Sequence, residues 1–257
     1  LFRYPDKWYT YTKDFQVVGI NPGAKCLQYV SGDSSEVKEL DYDILLNAAP
    51  IDLLVKETKL CPEINVDHNK VFIVGVGLEK PMTEFLEKFT WLYFPDRNVP
   101  FFRVTILSRY GEVTPDGNKY WSVMCECARP IDDPREQRAA YTFTPTTFQI
   151  TEEEVVKQAI DGLVIKSMIQ REKIVSVYST TLEYGYPIPT PARDPELARA
   201  HRELEKHSIY SRGRFGGWKY EVSNQDHCFI QGKEFIDRVV LNEPEKLYKT
   251  GLAERQG

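Results

Sequence analysis

Ser211-Arg-Gly-Arg-Phe-Gly-Gly-Trp-Lys-Tyr-Glu-Val-Ser-Asn-Gln-Asp-His-Cys-Phe-Ile-Gln-Gly232 joins a glycine-rich arginine loop to a predicted helix start. Gly213, Gly216 and Gly217 permit backbone conformations and close approaches that a Cβ would block, and Arg212 and Arg214 carry guanidinium forks suited to phosphate oxygens. Ser223 stands three residues before Asp226 in a capping-box-like pair, ahead of Phe229, Gly232, Ile236 and Val239 at helical spacing. A helix N-terminus therefore opens beside Asn224 and Gln225, where unpaired N–H groups and the positive dipole end favour a phosphate or an electron-rich ring. The residues alone also allow a plainer reading, a tight turn into a terminal helix with Arg214 solvated.

Working outward, 257 residues with 42% hydrophobic content suffice for one large or two modest domains. A net charge of −5 with mixed signs gives no broad nucleic-acid or membrane footprint, so anion binding must come from local arginines. No apolar run approaches the roughly 18 residues of a membrane span, and Leu-Phe-Arg-Tyr-Pro is no signal peptide; a cytoplasmic protein is expected. The chain lacks an initiator Met and opens in patterned sequence, as a piece of a longer chain would. Cys26, Cys61, Cys125, Cys127 and Cys228 are odd in number without a Cys-x-x-Cys pair, against a disulfide framework or a zinc site; Cys125 and Cys127 read as strand packing.

Phe15 to Asn21, Cys26 to Val30 and Val37 to Leu40 read as a β-meander, and Tyr42 to Pro50 as a buried strand feeding a short helix with Ile51, Leu54 and Val55 inward. Gly75-Val-Gly77 lies inside the strand pattern from Lys70 to Glu79 and reads as strand packing, not a phosphate loop. From Phe89 to Ala128, β-branched and aromatic runs separated by Pro95-Asp-Arg-Asn98 and Pro115-Asp-Gly-Asn118 predict an antiparallel sheet, with Arg103 on the face opposite Phe102 and Val104. An arginine emerging between aromatics there is either a rim salt bridge or a ligand clamp. Thr151 and Glu154 form a capping box for a structural helix with Val155, Ala159, Leu163 and Val164 on its apolar stripe. Lys173 to Glu183 predicts a strand, Tyr186 to Pro191 an extended linker, and Asp194-Pro195 an N-cap and first turn. His201 and His207 are expected to be solvated, and residues from Asn242 onward to be loose.

Arg212 to His227 resembles the last flavin-binding segment of UDP-galactopyranose mutases, of the eukaryotic type in particular. Trp91-Leu-Tyr-Phe-Pro-Asp-Arg-Asn-Val-Pro-Phe-Phe-Arg103, followed by Tyr110, is similar to that family's substrate segment, and Tyr184-Gly-Tyr-Pro-Ile-Pro-Thr190 to the run before its flavin loop. Three blocks in the right order are far more specific than a lone glycine motif. The resemblance implies a mixed α/β fold: a partial FAD-binding Rossmann-like layer plus an antiparallel β-sheet substrate domain. It divides the chain at 1–58 (partial FAD-binding domain), 59–185 (substrate domain) and 186–257 (return to the FAD-binding domain, with closing helix and polar tail). The glycine-rich βαβ fingerprint expected at the start of such a flavin domain is not among these residues.

The resemblance further implies an isomerase interconverting UDP-galactopyranose and UDP-galactofuranose through a sugar adduct at N5 of reduced FAD, active as the full-length protein and inactive as this piece alone. It assigns Arg103 and Arg214 as catalytic residues on the diphosphate, and Trp91, Tyr93, Tyr110, Tyr186 and Tyr220 with them as substrate-binding residues. Gly213, Arg214, Ser223, Asn224, Gln225 and Cys228 are the implied cofactor contacts. UDP-galactose is the expected partner, with no nucleic acid, no membrane and no metal; a homo-oligomer stays open. The chain departs from the family at Gly217, Ser223 and Cys228, and at Arg109, where Asn is usual. Two rivals stay open: an amine-oxidase-type FAD oxidoreductase would share the closing flavin segment without needing Tyr93, Arg103 and Tyr110, and an incomplete nucleotide-sugar-binding fragment would keep that cluster without the flavin.

Overall fold

A computed structural model describes residues 15–32, 34–131 and 151–251, and the chain divides into two compact units. Unit 1 comprises Leu1–Asp67 and Pro189–Gly257; unit 2 is His68–Ile188. The outer parts of the predicted ends, including the last six residues of the polar tail, lie outside the described residues.

Unit 2 is built on a five-stranded sheet in the order β6 (Trp91–Tyr93), β7 (Arg103–Ile106), β8 (Tyr120–Pro130), β5 (Asp67–Glu79), β9 (Ile174–Ile188). The β6–β7, β7–β8 and β5–β8 pairs are antiparallel, as the turn clusters predict, and β5 and β8 stay in register from Asn69↔Pro130 to Glu79↔Tyr120. Alternation sorts the side chains: Leu92, Val104, Cys125 and Val74 turn to the core, where Phe101, Trp121, Val123 and Cys127 join them. Helix α2 (Glu152–Ile165) lays Val155, Ala159 and Leu163 into this core and carries both halves of the Thr151–Glu154 capping box. Gly162 lets it approach, since a Cβ there would stand 3.0 Å from the Phe101 ring. Gly77 serves packing: its Cβ would meet Ser176 Oγ at 2.4 Å, so the Gly-x-Gly here is a strand contact. The extended linker predicted from Tyr186 to Pro191 is strand over its first three residues, since β9 runs on to Ile188, and the Tyr186 N–H donates to Asn69 Oδ1.

Unit 1 holds the meander β1 (Phe15–Asn21), β2 (Cys26–Ser31), β3 (Lys38–Asp41), and a parallel pair of β4 (Leu45–Asn47) with β10 (Ile209–Ser211). The strand predicted over Tyr42 to Pro50 is therefore much shorter, and it is half exposed rather than buried. Helices α1 (Ile51–Thr58), α3 (Arg193–Lys206), the single turn α4 (Arg214–Gly217) and α5 (Gln225–Leu241) complete the unit. Helix α3 starts one residue before the predicted cap: Arg193 is helical, and Asp194 Oδ1 accepts from Arg193 Nε instead of capping.

Three further expectations are corrected in unit 1. His201 is fully buried, not solvated, with Nε2 2.8 Å from the Tyr248 hydroxyl, which itself donates to the Gly217 carbonyl at 2.8 Å. The hydroxyl proton is thus committed to Gly217, so Nε2 carries the imidazole proton and Nδ1 has no hydrogen-bond partner. Burial, followed by the nearby Arg212, Lys219 and Arg238 charges, holds His201 well below the ordinary histidine range. Residues 243–251 are anchored rather than loose, with Glu245 and Tyr248 buried. Arg212 is no phosphate fork: it is buried, its Nη2 donates to Glu245 Oε1 at 2.6 Å, and its guanidinium carbon lies 4.8 Å over the Tyr248 ring.

Candidate functional site

The sequence-predicted residues fall into two groups, one in each unit. In unit 2 the register sets Tyr93 opposite Arg103 and Arg103 opposite Glu126, a row of three side chains across β6, β7 and β8 on the face away from the core. Arg103 Nε donates to Glu126 Oε2 and its Nη2 donates to Glu126 Oε1 at 2.6 Å. The Tyr186 hydroxyl stands 3.3 Å from Arg103 Nη2 and 3.4 Å from Glu126 Oε1. The Tyr93 and Phe102 rings lie 5.9 and 5.8 Å from the guanidinium carbon. Trp91 and Tyr110 pack edge to face at 6.0 Å, and Trp91, Tyr93 and Tyr110 are exposed. Hydrogen bonding to Glu126 raises the Arg103 pKa above the ordinary arginine value, against the lowering effect of burial, so the cation persists at any working pH.

Of the two roles weighed from sequence, the salt bridge is the one formed, to Glu126, with the Tyr93 and Phe102 rings beside it. Glu126 is the residue sequence reasoning missed. Its signal was an acidic residue between Cys125 and Cys127, in a strand whose alternate positions Trp121, Val123, Cys125 and Cys127 are apolar, where a lone carboxylate requires a partner.

In unit 1 the loop after β10 turns on Gly213, whose φ of +90° suits glycine and whose N–H donates to Gln231 Oε1 at 2.8 Å. Arg214 opens the turn of α4. Gly216 lies flat on β4: a Cβ there would stand 2.9 Å from the Asn47 carbonyl, which already accepts from Arg212 N–H at 3.0 Å. Trp218 is buried in a left-handed conformation, its indole N–H donating to Asp67 O at 3.0 Å. Tyr220 follows, half exposed on a short turn that the Arg193–Glu221 pair ties to α3 at 2.7 and 2.9 Å.

Helix α5 begins one residue later than the capping box required. Asn224 is its N-cap and makes no side-chain cap bond, while Ser223, buried, donates its hydroxyl back to Tyr220 O at 2.9 Å. Ser223 belongs to the turn that precedes the helix, and the N-cap position passes to Asn224. The predicted apolar stripe is also inverted: Phe229 and Ile236 are exposed, and Gln231 and Phe235 are buried. Gln231 is buried because its amide bridges Val222 O, at 2.6 Å, and Gly213 N–H. Asn224 and Gln225 are exposed beside the helix start, and Cys228 is partly buried with its thiol donating to Ser223 O at 3.6 Å.

These features fit the edge of an anionic ring system: a helix start with first-turn N–H groups left unserved by side chains, a glycine at positive φ next to it, and His227 in the first turn with no partner for Nδ1. No cluster of three or more His, Cys, Asp or Glu able to hold a metal occurs among the described residues, and no described helix is long and apolar enough to cross a membrane.

The chain is mixed α+β with antiparallel sheets, and solved structures share its fold. A protein from Exiguobacterium sp. 255-15, provisionally called a protoporphyrinogen oxidase, shares it at a TM-score of 0.58 and 16% identity, over 89% of this chain and 47% of that one. The more specific likeness is to a reduced UDP-galactopyranose mutase, with a TM-score of 0.78 and 28% identity over 96% of this chain and 50% of the mutase. The chain therefore spans about half the length of either protein. No protein-family model matches the sequence.

Proposed function

We propose that this chain is part of a flavin-dependent UDP-galactopyranose mutase that interconverts UDP-galactopyranose and UDP-galactofuranose. The observation that carries the reading is the Tyr93–Arg103–Glu126 row with Tyr186, a held guanidinium among aromatics, in a chain similar over 96% of its length to such a mutase. Reduced FAD, when bound, supplies a nucleophilic nitrogen for the anomeric carbon of the sugar.

The chain's own residues then have three tasks. Arg103 takes up negative charge on the diphosphate as it departs, which lowers the barrier only if the contact tightens in the transition state; the family resemblance assigns Arg214, in unit 1, the same role. In unit 2, Tyr93, Tyr110 and Tyr186 line the diphosphate and, with Trp91, exclude water around it; the family resemblance assigns Tyr220, in unit 1, to the substrate as well. Gly213, Ser223, Asn224, Gln225 and Cys228 border the flavin, the start of α5 favouring its anionic form. The adenine and pyrophosphate contacts of FAD come, in this reading, from residues beyond this chain, so the chain alone is inactive.

Arginine variants of the holoenzyme test it through UDP affinity by tryptophan fluorescence. A charge-assisted hydrogen bond is worth about 1.5–3 kcal/mol, so Arg103→Ala and Arg214→Ala should each weaken UDP binding about ten-fold to more than a hundred-fold. Unchanged affinity in both variants contradicts the assignment.

A further inference from the structure

Glu126 sits where few carboxylates do. It is 5% exposed, on a strand flanked by β7 and β5, directly opposite Arg103 on one side and Ile73 on the other. A buried carboxylate in such a place is tolerated only with strong partners, and it has two: the guanidinium of Arg103 and the hydroxyl of Tyr186.

The geometry of those bonds decides what Arg103 can offer. Its Nε and Nη2 both point at Glu126, and Nη2 also reaches Tyr186. The Tyr93 side chain also hydrogen-bonds the guanidinium, and the Tyr93 and Phe102 rings approach its carbon. The Nη1 group takes part in none of the bonds to Glu126 or Tyr186. An anion arriving at this arginine therefore meets one end of the guanidinium, not the fork that Arg103 would present if it were free. The β7–β8 register fixes the two backbones, so this orientation is set by the sheet.

We propose that Glu126 is a positioning residue: it holds Arg103 end-on, with Tyr186 as its brace, so that Nη1 is aimed at the departing diphosphate. This deepens the mutase reading and rests on it for the identity of the anion. Glu126 touches no substrate itself.

The consequence is a split between binding and turnover. Glu126→Gln keeps the shape but turns an amide N–H toward the guanidinium, which loses its fixed orientation and gains net positive charge. In the dithionite-reduced holoenzyme, kcat for UDP-galactofuranose should fall about ten-fold or more, while UDP affinity changes by less than about three-fold, because lost aim and gained attraction oppose each other. Glu126→Asp keeps the charge at shorter reach and should recover part of kcat. In an Arg103→Ala background, Glu126→Gln should change neither quantity, and should raise the melting temperature by relieving the buried carboxylate that Arg103→Ala leaves unpaired.

The outcomes separate cleanly. Non-additivity with the kcat loss supports the proposal. If Arg103→Ala weakens UDP binding but Glu126→Gln is neutral in turnover, or its effect adds in full to that of Arg103→Ala, positioning by Glu126 is overturned and the mutase reading stands. If Arg103→Ala leaves UDP affinity unchanged, positioning falls, since Glu126 then has no anion to aim Arg103 at; the mutase reading falls with it only if Arg214→Ala is without effect as well.

Discussion

Adding one methyl group at Gly216 and one at Gly232 should move stability in opposite directions. At Gly216 the new Cβ would lie 2.9 Å from the Asn47 carbonyl, 3.1 Å from Ser211 Oγ and 3.3 Å from Ala48 Cα. Two of the three neighbours are backbone of the β4 segment, pinned by the parallel pairing of β4 with β10 and by the Arg212 N–H bond to Asn47, so they cannot rotate aside. Overpacking of this kind costs about 1–3 kcal/mol, and the helix propensity gained by alanine recovers little in a turn of four residues. At about 2–4 °C per kcal/mol for a chain of this size, Gly216→Ala should melt roughly 2–12 °C lower. At Gly232, inside the 17 residues of α5, nothing lies within 4 Å of the added Cβ. There the gain in propensity is uncompensated, about 0.5–1 kcal/mol, and Gly232→Ala should melt roughly 1–4 °C higher. Differential scanning calorimetry of the two variants beside the parent decides it. A Gly216→Ala protein as stable as the parent would refute the close seating of the Arg214 turn on β4.

Two other outcomes follow from buried charge and buried thiols. Burial pushes the Glu245 carboxyl up, but Arg212 and Arg238 outweigh it and hold it below the ordinary range. A depressed carboxyl contributes stability that is present above its unfolded pKa and lost as pH falls through its folded one, so Glu245→Gln should cost about 3–5 kcal/mol near pH 7 and progressively less toward about pH 3; urea unfolding across that range should converge, and a constant gap contradicts the pairing. Burial raises the Cys125 thiol well above its usual range and pushes Cys127 up to about 12. Brief alkylation of the native protein near pH 8, read by mass spectrometry, should therefore label Cys61 and Cys228 first; equal labelling of Cys125 or Cys127 contradicts the packed face of β8.

What could be read from the sequence was local. The antiparallel sheet followed from alternation and turn residues between Phe89 and Ala128, the α2 cap from Thr151 and Glu154, and the strand role of Gly75 and Gly77 from the pattern around them. The errors concern partners far apart in the chain. Arg212 meets Glu245 33 residues on, and His201 meets Tyr248 47 residues on, so neither pairing leaves a periodic trace and both residues read as solvated or ligand-facing. Ser223 lies in the turn before the helix, where its hydroxyl donates to Tyr220 O, and the N-cap falls one residue on at Asn224. Helix α5 misled because its burial follows the glutamine that bridges Gly213 and Val222, not its apolar residues. For the site, the Tyr93, Arg103 and Tyr110 segment was legible as a motif, while Glu126 became visible only once register set it opposite Arg103.

The central claim is the reaction, and the most direct measurement is the fate of UDP-galactofuranose with dithionite-reduced holoenzyme under anaerobic conditions, products separated by anion-exchange chromatography. The account predicts UDP-galactopyranose as product, with many turnovers per flavin and no net consumption of an oxidant. Recovery of unchanged UDP-galactofuranose from flavin-loaded, reduced protein, or product that forms only in proportion to an oxidant consumed, would contradict it and favour the oxidoreductase.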